Sequence, residues 1–159
     1  PNSWISAIDK NEIVGTLFLD LSKAFDLVNH DILLQTLSMY GLHNNVLEWF
    51  MPILIQKSFI FISGEQSTPV KVAAGVPQGS VVGPILFLIY NNDLPLVLSH
   101  SCADIFADDT TLSTYNKSLD VVVTSLTNDL AHVDKWCQFN HMSINSDKSK
   151  AMFISSRQN

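Results

Sequence analysis

The sequence predicts an α+β fold in which helices pack on one face of an antiparallel sheet. Three features lead there. "EIVGTLFLD" (12–20) is β-branched and aromatic and ends on an acid, as a buried strand does. "ADIFADDTTLSTY" (103–115) reads as two short strands hinged at an aspartate pair. "SLDVVVTSLTNDLAHVDKWCQFN" (118–140) carries apolar residues at helical spacing.

The remaining elements fill in between. "SKAFDLVNHDILLQTLSMYG" (22–41) reads as helix, its main part capped by Asp31, with Leu33, Leu34 and Leu37 on the apolar face and Gly41 ending it. "NNVLEWFMPILIQ" (44–56) is a second helical stretch, expected to bend near Pro52. "SFIFIS" and "TPVKVAAG" flank a turn containing Gly64, as the arms of a hairpin would. "VPQGS" is a loop feeding an apolar helix over about 81–93, where Pro84 is tolerated because it falls in the first turn. In the long helix Ser118 is the expected cap, with Leu119, Val122, Leu126, Leu130 and Val133 along one face, and "KAMFIS" (150–155) is a last strand.

Composition narrows the function classes. With 47% hydrophobic and 15% charged residues the 159-residue chain is globular and large enough to bury a core as one domain. No apolar run reaches membrane-spanning length: "GPILFLIYNNDLPLVL" is interrupted by Asn91, Asn92, Asp93 and Pro95, and no membrane partner is expected. The start has neither an initiator methionine nor the basic-then-apolar order of a signal peptide, which suggests an internal fragment. Cys102 and Cys137 are too few and too far apart for a disulfide framework. The net charge of -6 is the wrong sign for a free-standing nucleic-acid binder, so any such role needs bound metal or basic flanking segments.

Asp20 ends the first strand and Asp108 and Asp109 sit at a hairpin tip. If those strands are neighbours, three carboxylates converge, and they do not all stay ionised together without cations. Mg²⁺ suits such a group, being oxygen-seeking and usually held by one or two carboxylates plus substrate phosphates. Two ions about 3.5–4 Å apart would clamp an in-line phosphoryl displacement. A bare Asp-Asp doublet, taken by itself, reads as a solvated turn. His141, four residues after Cys137, has no second ligand pair with which to hold zinc. The glycines of "GVPQGSVVG" match neither a phosphate loop nor a nucleophile elbow.

In chain order, "LFLDLSKAFDLVNHDILL" (17–34), "AGVPQGSVVGPILFLIYNNDLP" (74–95), "FADDTTL" (106–112) and "WCQFNHMSINSDKSKAMFIS" (136–155) resemble motifs A, B, C and the segment holding motif D of the reverse transcriptases carried by non-LTR retrotransposons. The resemblance implies a polymerase palm with a ferredoxin-like or RRM-like core, residues 1–159 forming a single palm domain without most of the fingers and thumb. It implies RNA-directed DNA synthesis from deoxynucleoside triphosphates, with an RNA template, a DNA primer and two Mg²⁺ ions, Mn²⁺ substituting. Carried over residue by residue, Asp20 and Asp108 would be the principal metal ligands, with Asp109 beside them. Phe25 would be the gate against a 2′-hydroxyl, although on the residues alone it reads as helix core. Gly75, Pro77, Gln78 and Gly79 would approach the templating pair and incoming nucleotide, with Phe106 and Ala107 completing the substrate-binding set. Lys148 would protonate or stabilise departing pyrophosphate, where an ordinary exposed lysine is the other account.

Two positions depart from the family pattern. Phe106 stands where tyrosine is common, and "LVNH" replaces the commoner "VDH", so Asn29 removes one acid. The resemblance further implies location in the nucleus or cytoplasm and, as partners, the rest of a retrotransposon polyprotein: fingers, thumb and, in some members, an endonuclease. Two other accounts stand beside it: a catalytically inactive remnant of such an element, and a nucleotide cyclase on the same scaffold, which leaves "GVPQGS" and "SKAFD" unexplained.

Overall fold

The computed structural model describes residues 2–54, 57–58, 61–62, 65–68, 70–71, 74–77 and 79–156. In chain order the elements are α1 (Asn2–Asp9), β1 (Ile13–Asp20), α2 (His30–Met39), α3 (Asn44–Leu54), the two-residue strands β2 (Lys57–Ser58), β3 (Phe61–Ile62), β4 (Glu65–Gln66) and β5 (Val70–Lys71), α4 (Val82–Asn91), a 3-10 turn (Leu94–Val97), β6 (Cys102–Phe106), β7 (Asp109–Asn116), α5 (Leu119–Phe139) and β8 (Lys150–Ile154). They form two compact units, one of residues 1–22 with 93–159 and one of residues 23–92.

The first unit is the predicted α+β body. Its antiparallel sheet has the order β6-β7-β1-β8, so the hairpin β6–β7 lies against one side of β1 and β8 returns on the other. Within the chain this is the βαββαβ succession of a ferredoxin-like core. The helix α5 packs on β1 and β7, and Gly15 shows how closely: a Cβ there would overlap Val122 and lie 2.9 Å from Leu126. Val122, Leu126 and Val133 are buried on that helix face, and Leu19 and Leu112 are buried in the strands. Side chains alternate across a sheet, so Gly15, Leu17 and Leu19 share the α5 face, and Thr16, Phe18 and Asp20 share the other. Leu119, expected on the buried stripe, is exposed because it opens the helix ahead of the point where α5 meets the sheet. Ser118 is the N-cap residue, without a side-chain capping bond.

Burial also settles the thiols. Cys102 is exposed and Cys137 is buried, and both are free. Burial, aided by the charge of Asp134, pushes the Cys137 thiol up to about 12, which makes it inert packing. His141 is exposed, so it and Cys137 make no metal pair.

The second unit is built on α2 and α4. Its helix α2 starts later than the sequence suggests. Asn29, in extended conformation, is the cap: its Oδ1 accepts from the N–H groups of Asp31 (3.0 Å) and Ile32 (3.1 Å). Asp31 therefore lies inside the first turn, where its charge favours the helix dipole. Residues 22–26 are turns, with Lys23 at φ +48° and Asp26 N–H donating to the Lys23 carbonyl (2.9 Å). The end is as expected: Gly41 at φ +88° closes a Schellman arrangement, with Gly41 N–H to Ser38 O (2.9 Å) and Leu42 N–H to Leu37 O (3.2 Å). Of the three leucines, Leu33 and Leu37 are buried and Leu34 is half-buried. Pro52 lies inside α3. The strand pairs β2–β5 and β3–β4 are antiparallel, as the expected hairpin requires, and the Gly64 turn lies outside the described residues.

One buried carboxylate ties α5 to the strands. Asp129 is fully buried and accepts three successive backbone N–H groups: Ser99 (2.9 Å), His100 (3.0 Å) and Ser101 (2.7 Å). The His100 ring also approaches at 3.3 Å. Burial alone would raise its pKa, but the hydrogen bonds from Ser99, Ser101 and His100 together outweigh it and lower the pKa to about 2. A carboxylate whose folded pKa lies below its unfolded value stabilises the fold above about pH 4, and this contribution fades as pH falls towards 2. The shift corresponds to roughly 2 kcal/mol. Asp129→Asn, which has one acceptor oxygen for three donors, is expected to destabilise the protein by about 3 kcal/mol at neutral pH and to flatten the acid limb. Urea unfolding at a series of pH values measures both.

Candidate active site

Asp20 is the last residue of β1, and its partner across the strand pair is Asp109, the first residue of β7. Directly opposed residues carry Cβ atoms roughly 4.5–5.5 Å apart on the same face. Two carboxylates in that position repel one another. Asp109 is also the partner of Phe106 across the hairpin, leaving Ala107 and Asp108 as the two-residue connection. Ala107 has φ +54°, as the first central position of a II′-type turn requires, although the sequence places no glycine there. Phe106 is 83% exposed, and Asp108 is exposed on the turn.

The paired acids open into a hollow of about 290 Å³ lined by Phe18, Leu19, Asp20, Asp109, Thr110, Thr111 and Lys148. The sequence-derived trio of acids is thus met in two positions of three: Asp20 and Asp109 share the hollow with Lys148, and Asp108 is not part of its lining. Among the described residues no three His, Cys, Asp or Glu side chains gather into a metal-holding group. Two opposed carboxylates suit a hard cation that takes its remaining oxygens from phosphate and water, which is how Mg²⁺ is usually bound.

The second unit shapes a separate, mostly apolar hollow of about 520 Å³ from Phe25, Pro77, Gly79, Ser80, Val81, Gly83 and Pro84. Phe25 packs on Phe87, ring centroids 4.6 Å apart, so it is part of the core and part of the hollow's wall. The two expected glycines differ in role. Gly75, at φ +97°, is pressed against the 25–28 turn: its N–H donates to Val28 O (2.8 Å), and a Cβ would sit 3.0 Å from Asp26 O. Gly79, at φ +77°, has nothing within 4 Å of where its Cβ would be. Gln78 lies outside the described residues.

Sequence reasoning, which places Ser80 at the start of the following helix, left out two things here: the bonds that Ser80 makes and the part played by His30. The Ser80 hydroxyl donates to Pro77 O (2.8 Å) and accepts from Gly83 N–H (2.9 Å), and a Cβ on Gly83 would fall 2.7 Å from that same Pro77 carbonyl. The spacing of Ser80 and Gly83 could have signalled a cap just ahead of α4. His30 is buried, with Nε2 2.7 Å from Gly75 O. It holds the loop to the start of α2.

The α+β sheet ends in opposed acids with a lysine beside them, and comparison with known proteins supplies the family. The chain belongs to the reverse transcriptase (RNA-dependent DNA polymerase) family, whose profile matches residues 5–158. Its relatives place it with the non-LTR retrotransposon members. The RNA-directed DNA polymerase from mobile element jockey of Drosophila melanogaster is 29% identical over 98% of this chain. The probable RNA-directed DNA polymerase from transposon X-element of the same fly is 34% identical over 91% of it. The chain spans only 18% and 16% of those two relatives. Among solved structures, an apo telomerase from Candida tropicalis superposes with TM-score 0.73 over 99% of this chain and 34% of its own, at 12% identity, a likeness of fold.

The strained alanine gives a test of the hairpin. Ala107→Gly is expected to leave stability unchanged or raise it by up to about 1 kcal/mol, and Ala107→Val to lower it by more than about 1 kcal/mol. Thermal unfolding of the two variants checks the turn.

Proposed function

We propose that the chain is the palm of an RNA-directed DNA polymerase, residues 1–159 forming one domain of a longer retrotransposon protein whose fingers and thumb flank it. The meeting of Asp20 with Asp109 at the end of the central strands, in a chain of this family, carries the reading. Asp20, Asp108 and Asp109 would hold two divalent cations, Mg²⁺ with Mn²⁺ as substitute. When bound, such ions lower the pKa of a primer 3′-hydroxyl and neutralise departing pyrophosphate.

The residues of the chain would do the rest. Lys148 offers an ammonium group to phosphate oxygens in the hollow it shares with the acids. Phe25, on the wall of the apolar hollow, would be the gate against a 2′-hydroxyl. Gly79, with open space where a Cβ would be, would let a nucleotide approach the backbone, Pro77 and Gly75 shape the same loop, and Gln78 would touch the nucleotide through its amide. Phe106 and Ala107 lead the primer end to the acids. RNA template, DNA primer and deoxynucleoside triphosphates are the partners, the net charge of -6 being offset by the cations and by basic flanks. The nucleus or cytoplasm is the expected setting.

Primer extension on an RNA template, with the chain expressed in its full reading frame, tests the reading. Asp20→Asn and Asp108→Asn are each expected to cut extension by about a thousandfold or more while the fold persists by circular dichroism. Undiminished extension by either would overturn it, and a wild type without activity would favour the inactive remnant. Phe25→Ala is expected to raise ribonucleotide use relative to deoxynucleotide use by roughly tenfold or more, read from the ratio of kcat/KM values.

A further inference from the structure

The strand β8 stops pairing with β1 at Lys150, opposite Phe18, two residues short of Asp20. Beyond it the chain turns through 145–149, and the backbone of Asp20 would lose its neighbour. Instead the turn supplies one. The Asp20 N–H donates to the Ser149 hydroxyl (3.2 Å), which donates onward to the Asn145 carbonyl (2.8 Å), and the Asn145 N–H donates back to the Asp20 carbonyl (2.8 Å). A closed ring of hydrogen bonds thus surrounds the Asp20 peptide. The turn is further fixed by Ser149 N–H to Asn145 O (2.9 Å) and Asp147 N–H to Asn145 Oδ1 (3.2 Å), and its entry by Ser22 N–H to Ser143 O (2.9 Å). Lys148 lies between these anchors and lines the hollow of Asp20 and Asp109.

We propose that Ser149 and Asn145 are positioning residues: they fasten the 145–149 turn to the backbone of Asp20, so that Lys148 and the acid pair keep one fixed spacing. A hydroxyl is required at 149 because only a group that both accepts and donates can stand between the Asp20 N–H and the Asn145 carbonyl. Asn145 serves through its backbone on both sides and through its side chain, which folds the turn upon itself. The inference rests on the polymerase reading above, since Lys148 needs a phosphate to meet.

The test is primer extension by the full reading frame, with five variants compared. Ser149→Ala is expected to lower kcat roughly tenfold while the KM for deoxynucleotide stays within about twofold, and Ser149→Thr, which keeps the hydroxyl, to recover most of that loss. Combined with Lys148→Ala, Ser149→Ala should add little to the loss from Lys148→Ala alone, because both changes remove the same placement. A merely structural serine gives multiplying losses, and that result, or wild-type kcat in Ser149→Ala, overturns the proposal. Asp20→Asn separates the two levels: if it is dead while Ser149→Ala is unimpaired, the positioning role fails and the polymerase reading stands. If Asp20→Asn extends normally, the polymerase reading fails and the proposal falls with it.

Discussion

Eight residue pairs, from Ile13 opposite Asn116 to Asp20 opposite Asp109, hold β1 and β7 in one register. Because side chains alternate at a period of two, a slip of one residue would send Asp20 to the face covered by α5 and bring Phe18 and Leu17 out of place. The register is protected from the middle of the strand rather than from its acidic end. Gly15 has no side chain where Val122 and Leu126 press on β1, so a slip that brought a side chain to that point would drive it into the helix. Mutual repulsion of the two aspartates is therefore borne by hydrophobic contact several residues away.

Around this register the first unit is fastened at points that are polar and buried. Asp129 gathers the three N–H groups that lead into β6, and the Trp136 indole N–H donates to Asp93 (2.9 Å) at the start of the 3-10 turn. Both partners sit on α5, two turns apart, so the helix grips the chain on its way into the hairpin as well as covering the sheet. Buried charge of this kind adds specificity only when every lone pair finds a donor, and here the donors are backbone groups whose place is set by the loop itself. The ring around Asp20 follows the same logic on the opposite side of the sheet, with a serine hydroxyl taking the place of a strand.

Period and punctuation in the sequence were enough for the strands, α5, the end of α2 at Gly41 and the existence of the acidic hairpin, though the turn falls at Ala107 and Asp108 rather than at the aspartate pair. The meeting of Asp20 with Asp109 was legible too, because the acids close strands that pair as neighbours; that Asp108 stays outside their hollow was not. What stayed hidden has a common cause. Asp129 looks like part of a solvated helix face, and nothing in the sequence says that a loop of three N–H groups folds onto it. Asn29 against Asp31 as the cap of α2 depended on residues 22–26 closing into turns, a choice made by the loop of Gly75 docking there. Which of Asp108 and Asp109 faces Asp20 depended on turn geometry at Ala107, a residue with no propensity for that conformation.

The two thiols offer an unforced pair of reporters. Cys102 stands in the open at the base of the hairpin, while Cys137 is sealed within α5 and holds its proton far above neutral pH. A maleimide dye would thus attach to a single native position near the root of the acidic loop, with no engineered cysteine. Uptake of a second equivalent would clock the opening of the core, since no smaller motion lets reagent reach the other sulfur.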